Sequence, residues 1–351
     1  MSLHDGPVYR GHLYVRGYDD KEFESLNFTK WIQFLSKNGI KDMSVHTAHM
    51  GYVGIPSNIF NCCSLQCLHL FICQLEPSLG FSGFCKLVSL ELLYCKLPDS
   101  LLESMISNSP LLEELVFVDP KPREPFAVDA PNLKSLKLFN FEPTPLCLVE
   151  YPKLTTALIC SALMIPANKF TASALSKFSS FLPRIENLSI HWTTLASLGA
   201  GGVPFRLPTP FKYLEHLELD EFDVVSLDPI YSAFCMLRSS PILRSLYISV
   251  SRKNSNQNAA ASVIIQYIDA QASEGDLSSV RTVTIWQIEG KDFEYSLIRT
   301  ILMCCPKLET MKIITFPFGD MEVEAQVRLN LFNLPRSSIL EVVRGMHFDD
   351  E

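Results

Sequence analysis

No apolar run in this 351-residue sequence approaches the roughly 20 residues that a membrane-spanning helix needs. Basic residues do not predominate. Lys and Arg number 30 against 38 Asp and Glu, a formal net charge of −8, so the footprint of a nucleic-acid or anionic-membrane binder is missing. The N-terminal stretch MSLHDGPVYRGHLYV has no basic segment followed by an apolar one, so no signal peptide is expected in it. Eleven cysteines, an odd number, then favour free buried thiols over a disulfide framework. The expected setting is cytoplasmic or nuclear, where the sequons at Asn27 and Asn187 have no consequence.

Chemistry-bearing motifs are equally scarce. No His and Cys residues stand at zinc-site spacing. The run Gly199–Gly202 (GAGG) lacks the Lys-Ser/Thr of a phosphate loop and reads as a flexible connection. In GFSGF at 80–84 the second glycine is one place early for a nucleophile elbow. The eight histidines show no partner pattern. No enzyme, cofactor or metal site is expected.

The abundant signal is a repeat. Residues 65–75 read LQCLHLFICQL and residues 87–97 read LVSLELLYCKL, with leucine at positions one, four, six and eleven and cysteine at nine. Anchors of the LxxLxL type recur at 40, 65, 87, 112, 133, 154, 185, 214, 243, 280 and 308, spaced by 21 to 37 residues. Proline stands two residues before six of them, at 110, 131, 152, 183, 241 and 306, where it blocks a preceding helix and biases the chain toward an extended start.

Helices are expected between anchors, mainly in the longer repeats. Phe28, Trp31, Ile32 and Leu35 share a face of 28–38, and Gly39 is a stop. Ser100 with Glu103 forms a capping box, Asp228-Pro229 starts another helix, and Leu297, Ile298, Ile301 and Leu302 form a stripe. The 21-residue repeats are expected to cross by loops or short turns. Strand and helix alternating at this period imply an α/β leucine-rich-repeat solenoid: a horseshoe with a parallel sheet on its concave face and helices on its convex face. The expected division is a cap and entry helix over 1–39, about eleven repeats over 40–318, and a cap with an acidic tail over 319–351.

Position nine, Cys73 and Cys95, turns the chain out of the strand, where a small buried residue bonds the loop backbone or fills space. Cys62, Cys63, Cys85 and Cys305, two or three residues before anchors, are expected to pack as small residues. Positions three, five, seven and eight should point away from the core. They place His69, Phe71, Glu91, Tyr94, Lys137, Phe139, His191, Trp192, Glu218, Asp220, Tyr247, Trp286 and Lys312 on the concave face. Two of the three tryptophans fall there. Trp and Tyr dominate interface hot spots, so a partner-binding face is expected. Rings packing on each other or under loops are the alternative.

The segments FTKWIQFLSKNGIKDMSV, IPSNIFNCCSLQCLHLFICQL, GFCKLVSLELLYCKLPDSLLESMISNSPLLEELVF and APNLKSL resemble the plant F-box/leucine-rich-repeat family. CCPKLETMKI and LNLFNLPRSSILEVV resemble the ends of that family's FBD region. The resemblance implies the target-binding half of an SCF ubiquitin-ligase receptor, with repeats holding a protein target and an F-box docking on the adaptor. Nothing in residues 1–30 resembles an F-box, so adaptor contact is expected only if one is supplied elsewhere. The alternatives are a binding scaffold or competitor without a ligase role, and a small-molecule or hormone sensor using an aromatic concave pocket.

Overall fold

Each of the eleven anchors stands two residues ahead of a β-strand. The computed structural model describes residues 6–15, 28–47, 51–76, 81, 83–118, 129–141, 151–161, 174–222, 227–251, 261–274, 277–335 and 338–345. The chain is a leucine-rich-repeat solenoid, and its contacts divide it into two units, Met1–Met164 and Ile165–Glu351.

In the first unit the strands are β1 (Arg10–Val15), β2 (Asp42–Thr47), β3 (Val53–Ile55), β4 (Cys67–Phe71), β5 (Cys73–Leu75), β6 (Ser89–Leu93), β7 (Glu114–Val118), β8 (Ser135–Phe141) and β9 (Thr156–Ser161). Seven of them pair in parallel in the order β1-β2-β4-β6-β7-β8-β9, and β3 pairs with β5 in a small second sheet. The backing layer contains helix α1 (Phe28–Lys37), a 3₁₀ turn at Ser57–Asn61 and helix α2 (Asp99–Ser107). The connections 119–128 and 142–150, on which the expectation for the 21-residue repeats rests, lie outside the described residues.

The second unit alternates strand and helix: α3 (Ala174–Phe181), β10 (Asn187–His191), α4 (Trp192–Gly199), β11 (His216–Phe222), α5 (Leu227–Arg238) and β12 (Ser245–Val250). It continues through α6 (Ala261–Glu274), β13 (Thr282–Ile288), α7 (Asp292–Cys304), β14 (Thr310–Thr315), α8 (Met321–Phe332) and β15 (Ile339–Arg344). Its strands pair in parallel from β10 through β15 in chain order.

The register explains the leucines. Leu68 pairs with Leu90 and Leu90 with Leu115; Leu70 pairs with Leu92 and Leu92 with Phe117. Ladders of identical position thus stack on the inner side of the sheet, and these side chains are all at most 3% exposed. Each strand alone would leave that row in water, so the neighbouring repeats supply the burial.

The phased prolines act differently from expectation. The backbone N–H of Leu112, Leu133 and Leu243 donates to the carbonyl three residues earlier, of Ser109, Ala130 and Ser240. Proline is therefore the second residue of a turn, the position for which its fixed φ is suited, and the turn rather than an extended segment launches the strand. The same hydrogen bond closes at Leu65 and Leu87 without proline.

The turn also separates the four upstream cysteines. From the anchor at 65 onward the residue three before each anchor is buried, including Cys62 and Cys305, whereas the one two before it is exposed or half-buried, with Cys63 and Cys85 exposed. Cys63 and Cys85 occupy the proline slot and do not pack. Burial pushes the Cys62 thiol up, and burial pushes Cys305 up to about 12 with Cys304 adding to it.

Helix starts depart from the sequence expectation in several places. The α2 N-cap is Pro98, with no side-chain cap, so Ser100 lies inside the first turn and forms no capping box. Asp228 and Pro229 lie inside the first turn of α5, which begins at Leu227. In α1, Phe28, Ile32 and Leu35 are buried but Trp31 is 38% exposed; Gly39, at φ 73°, follows the helix. Gly199 is no loop residue: it is the buried last residue of α4, and a Cβ there would meet the Asp228 carbonyl oxygen at 2.5 Å. Glycine lets α4 approach α5 closely enough for Ser232 Oγ to donate to the Leu195 carbonyl at 2.9 Å.

Candidate functional site

Side chains opposite the leucine rows form the outward face of each sheet, because successive residues of a strand point to opposite sides. In the first unit the position-five row runs His12, Ser44, His69, Glu91, Val116, Lys137 and Leu158. His69 Nδ1 lies 2.6 Å from Glu91 Oε2, and His12 Nδ1 lies 3.0 Å from Ser44 Oγ. Lys137 is exposed between Val116 and Leu158.

The position-seven row beside it, joined by Tyr94 at position eight, is aromatic at one end. Tyr14 stacks on His46 with centroids 5.3 Å apart, His46 lies 6.1 Å from Phe71, and Phe71 meets Tyr94 edge-on at 5.9 Å. Farther along are Leu93, Val118 and Phe139. Tyr14 is 71% exposed and Tyr94 39%. Rings that touch each other while facing water form a patch rather than scattered apolar residues, which is the feature that marks an interaction surface.

In the second unit the position-five row is Ser189, Glu218, Tyr247, Thr284, Lys312 and Glu341. His191 and Asp220 pair at position seven, and Trp286 pairs with Ile314. The Tyr247 and Trp286 rings lie 6.3 Å apart. Burial pushes the Tyr247 hydroxyl up to about 12, with Glu218 and Asp220 adding to the shift, so these carboxylates sit near the ring.

Twelve of the thirteen expected residues therefore lie on an outward face or at its margin. Trp192 does not. Strand β10 ends at His191, whose Nδ1 accepts from the Thr193 backbone N–H at 3.3 Å and caps α4, so Trp192 becomes the first residue of a helix. Its ring is half-buried, and its indole Nε1 is buried with no hydrogen-bond partner among the described residues. His191 Nε2 meets Glu221 at 3.5 Å.

The general reason is that alternation stops at position seven. Ile72, Tyr94, Glu221 and Gln287, all at position eight, have φ between 44° and 65°. That left-handed step turns position nine inward, burying Cys73, Cys95, Phe222 and Ile288. The Cys73 thiol donates to the Phe71 carbonyl at 3.5 Å, and Cys95 donates to the Leu70 carbonyl at 3.4 Å. Hydrogen bonding with Cys95, then burial, holds the Cys73 thiol well above its ordinary range. The same hydrogen bond lowers the Cys95 thiol, and both cysteines plug strand ends.

Sequence reasoning missed Tyr14 and His46. The alternation in GHLYV is a strand signal, yet Gly11 stands where the repeat has leucine, with Leu35 and Ile40 side chains 3.4 Å from where its Cβ would be. Within each unit taken by itself, the described His, Cys, Asp and Glu side chains form no converging group of three.

A family model for "FBD-associated F-box protein At5g56370, LRR repeats" matches residues 28–248. The F-box/FBD/LRR-repeat protein At1g13570 of Arabidopsis thaliana is 28% identical over 348 residues, covering 96% of this chain and 80% of that protein. Among solved structures, an internalin (InlF) from Listeria monocytogenes covers 90% of this chain and 78% of its own, at 14% identity and a TM-score of 0.35.

Proposed function

Because the chain belongs to the plant leucine-rich-repeat family of FBD-associated F-box proteins, we propose that it is the target-holding part of an SCF-type ubiquitin-ligase receptor. The family and fold make it a protein-interaction module. The finer role assigns the outward sheet faces to the target and leaves the adaptor to an F-box. The observation that carries the recognition role is the group Tyr14, His46, Phe71 and Tyr94, where aromatic rings line up across four repeats on a face that no helix covers among the described residues. Aromatic anchors supply much of the energy in protein interfaces, which supports reading this row as a binding surface. A cytoplasmic or nuclear setting fits this role; among the described residues no helix is long and apolar enough to cross a membrane.

The test is affinity capture with the tagged chain, probing for the SCF adaptor and cullin and for any other protein held. Replacing Tyr14 and Tyr94 together by Ser should abolish target capture while leaving the melting temperature unchanged, because both rings are surface residues. Trp286→Ala should behave similarly, whereas Trp192→Ala should cost about 2 kcal/mol or more of stability and act on capture only through folding. Stoichiometric adaptor and cullin support the receptor role. A captured target without them leaves a stand-alone recognition module, and capture indifferent to both tyrosines removes the face from consideration.

A further inference from the structure

Four neighbouring strands of the second unit carry an ordered sequence of chemistries on their outward side. Strand β11 presents the carboxylates of Glu218 and Asp220, β12 presents Tyr247, β13 presents Trp286 and Thr284, and β14 presents the ammonium of Lys312. Glu218, Asp220 and Lys312 are half-buried, and none of them has an ion-pair partner among the described residues. Among the described residues Lys312 forms no ion pair even with Glu341, its register partner on β15. His191, which neighbours Asp220 in the register, is engaged by Glu221 and by Thr193. Negative charge, two rings and positive charge thus follow one another across the strands, with the charges left available.

We infer that this part of the face binds an extended peptide segment of the target that carries a basic and an acidic residue four positions apart, with an apolar or aromatic residue midway between them. The spacing follows from geometry. Neighbouring strands lie about 4.8 Å apart, so Glu218 and Lys312, three strands removed, are separated by about 14 Å. An extended chain rises about 3.4 Å per residue, and residues i, i+2 and i+4 project to the same side. A segment lying across the strands therefore brings i over the carboxylates, i+2 over Tyr247 and Trp286, and i+4 toward Lys312. The aromatic rings serve the middle residue and also favour a guanidinium or ammonium arriving at the acidic end. The burial and neighbouring carboxylates that raise the Tyr247 hydroxyl report the same crowding of negative charge at that end.

This polarity rests on the protein-recognition reading above and adds to it the chemistry of the partner. The test pans a phage-displayed library of random twelve-residue peptides on the full 351-residue chain and on Lys312→Glu and Trp286→Ala variants. The wild-type chain should enrich peptides with Lys or Arg four residues from Asp or Glu, in one order along the chain. Lys312→Glu should weaken those peptides by about tenfold or more and shift enrichment toward two basic residues at the same spacing. Peptides that need Trp286 but show no charged pair at that spacing, or a Lys312→Glu variant that selects the same peptides as wild type, would sink the polarity while leaving recognition by the face intact. Failure to enrich any peptide dependent on Trp286 would count against both.

Discussion

The two units use the same strand and clothe it differently. In the first, anchors 21 to 25 residues apart return the chain to the sheet quickly, and the backing layer contains two α-helices and one 3₁₀ turn among the described residues. In the second, anchors 28 to 37 residues apart leave room for a full helix after each strand from β10 to β14. The outward faces differ as well: an aromatic, weakly charged row in the first, and acid, rings and base in sequence in the second. The lesson is that the LxxLxL strand constrains only the inward side. The length of the return decides the backing, and the outward residues vary freely because they pack against nothing in the repeat that carries them.

Matched core truncations should show the largest effect. Leu70→Ala on β4, the strand that follows the 3₁₀ turn, and Leu219→Ala on β11, which is flanked by α4 and α5, each remove a side chain at most 3% exposed. Both should cost about 2–5 kcal/mol, with the second nearer the top because a helix-backed site has less freedom to collapse into the cavity. Urea unfolding of the two variants measures this, and equal costs would mean that the helices add no rigidity.

A titration should distinguish the units next. Glu294 in α7 is 1% exposed, and its Oε2 accepts backbone N–H groups from Glu289, Gly290 and Lys291 at 2.7–3.0 Å. Burial nevertheless pushes its carboxyl up from 4.5 to about 7, with the hydrogen bonds opposing. A raised acid is more protonated folded than unfolded, so its contribution is present below about pH 4.5 and is lost as pH rises to about 7. The loss should be about 3 kcal/mol across that window. In the Glu294→Gln variant that slope should vanish; unfolding free energies measured from pH 4 to 8 would show it. A wild type that instead gains stability over this range would mean that the three N–H donors outweigh burial.

The smallest effect concerns the strand exits of the first unit. Ile72 holds φ 55°, which a β-branched residue tolerates poorly and asparagine accepts. Ile72→Asn should raise stability by up to about 1 kcal/mol. A calorimetric melting temperature that falls would show that Ile72 packing outweighs the backbone strain.

Much of this architecture was legible because the inward leucines and the turn before them are local. An anchor, its turn hydrogen bond and its strand span about ten residues, so a period count finds every one of the eleven. The flanking strands escaped that count for equally local reasons. Gly11 replaces leucine in β1, and Ser337 stands at position one ahead of β15, although Pro335 keeps the phase. Trp192 was misplaced because alternation predicts a direction only while the strand lasts. His191 capping a helix is what ended it. Cys63 and Cys85 were misjudged by a single residue, the difference between the first and second positions of a turn.

The period, the inward rows and the cysteine plugs at Cys73 and Cys95 are consequences of the amino-acid order, since each follows from burying a side chain next to its own repeat. Which outward residues meet was settled only by stacking. Tyr14 and Tyr94 are 80 residues apart, and Glu218 and Lys312 are 94 apart. No local rule links such distant residues; the parallel register, which sets repeat beside repeat at a fixed spacing, brings them onto one face.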